Sequence, residues 1–231
     1  MHDVMVPEYE TRDDVYVTRL ARFLGIALHA FYRISTTGIE HLEQIRHGPG
    51  IVLPKHQSNM DITLEGVLLH EHVQRHPYYL MKKSLSGRKF PFDFERAGGI
   101  SITRAKDVRR AQDRRMMMRK AQSEHLFERL AYHLSQDEII VVHPEGQRCL
   151  GALGKISRGT IANLVALQSE LQKPIPYIPI RIEYSHSWLL GYAQRFLPGT
   201  HIRISVQPPL IKEDLTIDEL AQHLAQTLWA V

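Results

Sequence analysis

Short apolar runs alternate along this chain with longer stretches of helical periodicity. Ile51-Val52-Leu53 follows Gly48-Pro49-Gly50, and a run that short, framed by turn residues, reads as a buried strand. Leu64, Val67, Leu68 and Leu69 then recur at helical spacing, which predicts a helix to about Val73 with Pro77 beyond it. Tyr78 to Met81 reads as a second strand, followed by a polar, basic loop at Lys82 to Lys89 and a compact aromatic turn at Phe90-Pro91-Phe92 and Phe94. Gly98 to Ile102 is a third strand delivering Arg104 at its end.

From Lys106 to about Ser135 the period is helical, with Leu126, Leu130 and Leu134 on one stripe. Ile139 to Val142 is a strand, Ile156 to Leu171 a helix, Ile175 to Ile182 and Ile202 to Val206 strands, and Ile217 to Trp229 a closing helix. Ile39 to Ile45 forms a short helical turn. Such alternation implies an α/β fold: a single domain with a mixed, mostly parallel sheet flanked by helices. No internal repeat or low-complexity linker divides the chain.

The stretch from Tyr16 to Ile34 has a different pattern. Wound at about 100° per residue, Arg19, Arg22, His29 and Arg33 share an arc, while Leu20, Phe23, Leu24, Ala27, Leu28 and Phe31 fill the opposite side. Ile26 intrudes on the basic side. The pattern fits a helix lying on a membrane surface, and equally a surface helix packed on the core.

Composition narrows the picture further. With 231 residues, 43% of them hydrophobic, the chain can bury one sizeable core. The single cysteine, Cys149, excludes an intramolecular disulfide and a cysteine-cluster metal site. Met1 to Asp14 is polar and acidic, unlike a secretory signal. The longest uncharged apolar run near the start, Phe23 to Tyr32, has 10 residues, and a bilayer crossing needs roughly 20; no transmembrane span is expected. The formal net charge is +4, yet Arg104 to Lys120 alone carries eight basic residues against Asp107 and Asp113. An acidic partner is implied there, such as phospholipid head groups, an acidic carrier protein or a phosphate-bearing substrate. Nucleic acid is not expected, since the segment lacks interleaved aromatic residues and any groove-reading motif.

Candidate chemistry lies in three places. His56-Gln57-Ser58-Asn59-Met60-Asp61 crosses the first strand-to-helix junction, with Ser58 or Asn59 as N-cap and Asp61 in the first helical turn. Five positions apart on one continuous helix, His56 and Asp61 would lie roughly 140° apart, so they can pair only if His56 precedes the helix. Such a pair fixes the imidazole tautomer and frees one nitrogen to take a proton from a hydroxyl. Amide donors at the start of that helix are then available to a developing oxyanion. Arg104 follows a glycine turn and a short strand, and its guanidinium fork suits a phosphate. His143-Pro144-Glu145-Gly146-Gln147-Arg148 follows a strand directly, combining a hydroxyl acceptor, a flexible glycine and a phosphate-binding arginine.

In order, His56 to Asp61, Gly98 to Arg104, Pro144 to Arg148 and Ile178-Pro179-Ile180 resemble the four blocks of the glycerolipid acyltransferases, over roughly residues 35 to 182. The nearest group within that family looks like 1-acylglycerol-3-phosphate acyltransferase. The resemblance implies that His56 is the general base, oriented by Asp61, and that Arg104, Glu145, Gly146 and Arg148 hold the glycerol phosphate end. Pro179 would support the acyl or acceptor site. It also implies acyl-CoA or acyl-carrier protein as co-substrate, a lysophospholipid acceptor, no metal and no cofactor. Residues 1–34 would form a membrane-surface helix region and 35–231 the acyltransferase domain, seated on anionic lipid at the cytoplasmic face of a membrane as a peripheral or monotopic protein.

The third block departs from the family pattern. An aromatic usually stands at the place of His143, Thr or Ser at that of Gln147, and Ser at that of Cys149; an acidic residue is common where Thr103 stands. These departures bear on the identity of the acceptor, and glycerol 3-phosphate or another lysolipid is the alternative. A non-catalytic lipid-binding homologue is a further alternative. A metal site at His56, Asp61 and His143 is disfavoured, because no close histidine pair shares a helix face with them.

Overall fold

A computed structural model describes residues 11–87, 92–102, 125–146, 156–185 and 198–228. Seven strands make one sheet: β1 (Arg33–Thr37), β2 (Gly50–Pro54), β3 (Tyr78–Lys82), β4 (Gly99–Ile102), β5 (Ile139–Val141), β6 (Tyr177–Tyr184) and β7 (His201–Val206). Their order is β1-β7-β6-β2-β5-β3-β4. From β6 to β4 all neighbours are parallel, while β7 runs antiparallel to β6 and parallel to β1. This is the mixed, mostly parallel sheet that the alternating pattern predicts.

Strands β2 and β5 are apolar at every position because both faces are covered. In β2 every residue is buried. Val52, Ile139 and Val141 face a cluster built with helix α2 (Met60–Val73) and the short 3₁₀ helix Ile39–Ile45. Ile51, Leu53 and Ile140 face the opposite cluster, formed with the helical residues 125–135 (α3), α4 (Arg158–Leu171) and α5 (Ile217–Leu228). A two-residue alternation therefore sorts one strand into two cores. Gly50 is required for this, since a Cβ there would collide with the Ile45 side chain.

The N-terminal helix α1 (Asp14–Phe31) begins two residues before the predicted start, because the Asp13 carboxylate accepts the Tyr16 N–H at 2.9 Å and caps it. Its packing differs from the predicted division of faces. Val17, Ala21, Gly25 and Leu28 are buried, and α1 packs on α2. Small residues suit that approach: a Cβ on Gly25 would lie 3.1 Å from Glu71 Oε1 and 3.5 Å from Val67 Cγ1, the first of these a tight contact. The bulky Phe23, Ile26 and Phe31 are left exposed, and His29 reaches Glu71 of α2 at 3.2 Å. Arg33, expected on the helix, lies in β1, a strand that the sequence reading did not contain. Among the described residues no helix is long and apolar enough to cross a membrane. The basic segment Arg104 to Lys120 lies outside the described residues.

Candidate active site

The parallel strands β2 and β5 both end at the same edge of the sheet, and each is followed by a histidine-bearing turn. In sheets of this kind the crevice beyond the carboxyl ends of the strands is where ligands bind. After β2, the extended segment Lys55–Ser58 is fastened to β6: the Lys55 N–H donates to the Ile180 carbonyl at 2.9 Å and Gln57 Nε2 donates to the Ile182 carbonyl at 2.8 Å. His56 therefore stands outside α2, as pairing with Asp61 requires.

Asp61 is fully buried. Its Oδ2 accepts the N–H groups of Gln57 and Ser58 at 2.6 Å each and lies 3.2 Å from His56 Nδ1. Its Oδ1 accepts the Tyr184 hydroxyl of β6. A buried carboxylate is tolerable when donors replace water in this way. His56 then donates through Nδ1, and Nε2 is its proton-accepting nitrogen.

Local capping differs from the prediction. Asn59 occupies the N-cap of α2 but its side chain makes no capping bond. Asp61 folds back onto the preceding amides, and Ser58 Oγ accepts the Met60 N–H at 3.2 Å. The Gln57, Ser58, Met60 and Asp61 amides are thus engaged within the turn, Asp61 N–H with the Ser58 carbonyl. Those four are not oxyanion donors.

A second carboxylate–imidazole pair adjoins the first. His143, just beyond β5, places Nε2 at 3.2 Å from Glu65 Oε1, and the Glu65 side chain is fully buried. The His143 ring lies against that of His56 with centroids 4.1 Å apart and planes tilted by 37°. Burial alone would pull the proton affinity of His143 down, but the charge and hydrogen bond of Glu65, with the charges of Asp61 and Glu145, outweigh it and raise the pKa above the usual histidine value. Sequence reasoning missed Glu65. A signal was present, since it lies four residues after Asp61 and so on the same helical face.

Both imidazoles line a cleft of ≈ 970 Å³. From α1 come Val17, Leu20, Ala21 and Leu24, and from α2 Ile62, Thr63, Gly66 and Val67. Leu80, Met81, Phe92 and Phe94 continue an apolar wall, while Lys82 and Gly146 contribute at the strand edge. Gly146 sits at φ +62° with open space where a Cβ would be, so its turn needs glycine for the backbone and leaves the approach clear. Glu145 is buried beside it. Pro179 is buried in β6 opposite Leu53 and is not part of the cleft wall. Arg104 and Arg148 lie outside the described residues. Among the described residues no group of three or more His, Cys, Asp or Glu is arranged to hold a metal ion.

The family model described as Acyltransferase matches residues 33–183, more than half of the chain. The chain belongs to the acyltransferase family. Its fold is similar to that of the 1-acyl-sn-glycerophosphate (LPA) acyltransferase PlsC from Thermotoga maritima, with a TM-score of 0.58 at 17% identity, covering 93% of this chain and 78% of that one. No curated protein sequence matches the chain. Within the acyltransferase region fall β1 to β6 and both histidine–carboxylate pairs, whereas α1 precedes it and β7 and α5 follow it.

Proposed function

We propose that this acyltransferase moves a fatty acyl group from a thioester, acyl-CoA or acyl-carrier protein, to the free hydroxyl of 1-acylglycerol-3-phosphate. The observation that carries the reading is the His56–Asp61 pair set in the wall of a large apolar cleft. A cleft of that size and lining suits a fatty chain, and the imidazole supplies the base that an alcohol acceptor needs at neutral pH.

In this reading His56 Nε2 takes the acceptor hydroxyl proton as the hydroxyl oxygen attacks the thioester carbonyl carbon. The carbon–sulfur bond then breaks, and the departing thiolate receives the proton from His56. Asp61 holds the tautomer and balances the imidazolium formed between the two steps. No covalent acyl-protein forms, and no nucleophilic side chain is needed. Glu145, Gly146, Arg104 and Arg148 hold the glycerol phosphate end, a role taken from the family's motif.

The reading places the protein on a membrane surface. Exposed Phe23, Ile26 and Phe31 alternate on α1 with exposed Arg19 and Arg22, a combination suited to anionic lipid. Replacing Arg19 and Arg22 by Gln should weaken binding to phosphatidylglycerol vesicles about tenfold, with less difference at high salt; unchanged flotation would contradict it.

The test of activity is a transfer assay with radiolabelled acyl-CoA and acyl-carrier protein against 1-acylglycerol-3-phosphate, glycerol 3-phosphate and other lysolipids. Preference for 1-acylglycerol-3-phosphate is expected. Faster transfer to another acceptor would replace the substrate, and transfer to none would favour a lipid-binding protein.

A further inference from the structure

The active-site cleft is lined by an imidazole beyond the one that base catalysis requires, and that imidazole is bonded to a fully buried carboxylate. Glu65 and Asp61 project from one face of α2, both fully buried, and each takes one histidine. Resting on the reading of His56 as the base, we propose that His143 is a positioning residue acting through His56: held by Glu65, it keeps a proton against the His56 ring, fixing that ring and leaving it free to accept the proton of the acceptor hydroxyl.

Packing alone does not require this arrangement. A phenyl ring would fill the same place beside His56, and without a partner the Glu65 carboxylate would be costly to bury. With both present, the pair is nearly self-neutralising in the cleft wall, its cationic end toward His56 and its anionic end toward the interior of α2. The groups facing His143 favour its charged form: Glu65 and Asp61 from α2, and Glu145 from its own turn. From β3, Tyr79 stands beside Glu65 as a neutral phenol, its pKa pushed well above the usual tyrosine value by burial and then by the Glu65 charge. From the β2 loop, His56 lies ring to ring with it. The charge that these carboxylates hold on His143 therefore lies against the ring of the base. The expected consequence is acyl transfer that persists into mildly acidic conditions.

The test uses full-length protein labelled with ¹⁵N-histidine, whose imidazole nitrogens are followed by NMR across pH, together with the pH profile of kcat/KM. In the wild type His143 should take up its proton above the usual histidine range. In the double variant Glu65→Gln/His143→Phe, which keeps the ring and strands no charge, the acid limb of kcat/KM should move up by about one pH unit. An acid limb at its wild-type position in that variant would overturn the proposal, and with it a rise in acceptor KM would make His143 a substrate contact. If the double variant does not fold, Glu65→Gln/His143→Leu, which likewise strands no charge, is read in the same way, and an unmoved acid limb overturns the proposal equally. Absence of transfer by the wild type with every donor and acceptor would sink the acyltransferase reading itself, while the NMR titration would still decide where the proton resides.

Discussion

A pair of close histidine rings lies at each end of helix α2, and His143 of one pair and His76 of the other treat a proton in opposite ways. At its start, His56 and His143 lie 4.1 Å apart with Asp61 and Glu65 in hydrogen-bond reach. Toward its other end, His70 in the last turn and His76 beyond it stack at 5.1 Å with planes 11° apart. There the partners are a hydroxyl and an arginine: Thr18 Oγ1 lies 3.0 Å from His76 Nε2, and Arg12 donates to the His76 carbonyl. The Nδ1 atoms of both rings are buried with no hydrogen-bond partner among the described residues. Burial, then the charges of His70 and Arg12, lowers the His76 pKa to about 4. At His143 burial acts in the same direction and is overcome by carboxylates. Packing an imidazole against another out of water thus says little about its charge; an acid within reach decides it.

Changes at the two ends can break or sharpen this contrast. The largest effect is expected from Asp61→Asn, which keeps the shape but removes the charge. With its amide oxygen in the Oδ2 place it still accepts from Gln57, Ser58 and His56, yet the imidazolium formed in catalysis loses its anionic partner and an NH₂ faces the Tyr184 hydroxyl. Acyl transfer should fall about 10²–10⁴-fold with the fold retained; a loss below about threefold in a steady-state assay would remove Asp61 from the mechanism.

At the other end, His76→Gln should alter the acid limb of stability. The folded pKa of His76 lies below its unfolded value, so its contribution is present above about 6.5 and lost as pH falls toward about 4, where the unfolded chain binds a proton that the fold refuses. Removing the ring should flatten that slope by about 2 kcal/mol, allowing for partial hydration of the site. Urea denaturation at pH 7 and pH 4.5 measures it, and an unchanged slope would count against a neutral buried His76.

Glu65→Gln should have a smaller effect of opposite sign. The folded pKa of His143 is raised, so its contribution is complete below the unfolded value near 6.5 and fades as pH rises through the folded pKa. The variant should lose stability mainly on the acid side, and a uniform loss at all pH values would mean that the pair acts by packing alone. Smallest of all, Tyr184→Phe removes one donor from Asp61 Oδ1 and should cost about 0.5–1.5 kcal/mol at pH 7 in the same denaturation experiment.

Much of this architecture was legible along the chain, for reasons that also explain what was not. β2, β5 and β7 lie within or within one residue of the predicted limits: β2 and β5, covered on both faces, need the unbroken apolar runs Ile51 to Leu53 and Ile139 to Val142, while β7 buries one face and alternates Ile202, Ile204 and Val206 with Arg203 and Ser205. β1 was missed because Arg33–Thr37 is an edge strand whose only aliphatic side chain is Ile34. It is held by backbone pairing to β7, far along the sequence. The faces of α1 were divided by hydrophobicity, whereas close approach to α2 selected Ala21 and Gly25 and turned Phe23 and Phe31 outward. The His56–Asp61 geometry could be inferred because both residues flank one strand-to-helix junction. The Glu65–His143 pair spans 78 positions, and only the sheet, by aligning the ends of β2 and β5, brings it together.

The central claim is that the His56 imidazole removes the proton from an acceptor alcohol. The most direct measurement is single-turnover acyl transfer from acyl-CoA to 1-acylglycerol-3-phosphate by His56→Ala, alongside wild type, with circular dichroism to establish that both are folded. The account expects wild-type transfer and a variant that is folded yet slower by at least about 10²-fold; a folded His56→Ala protein that transfers at near wild-type rate would contradict it.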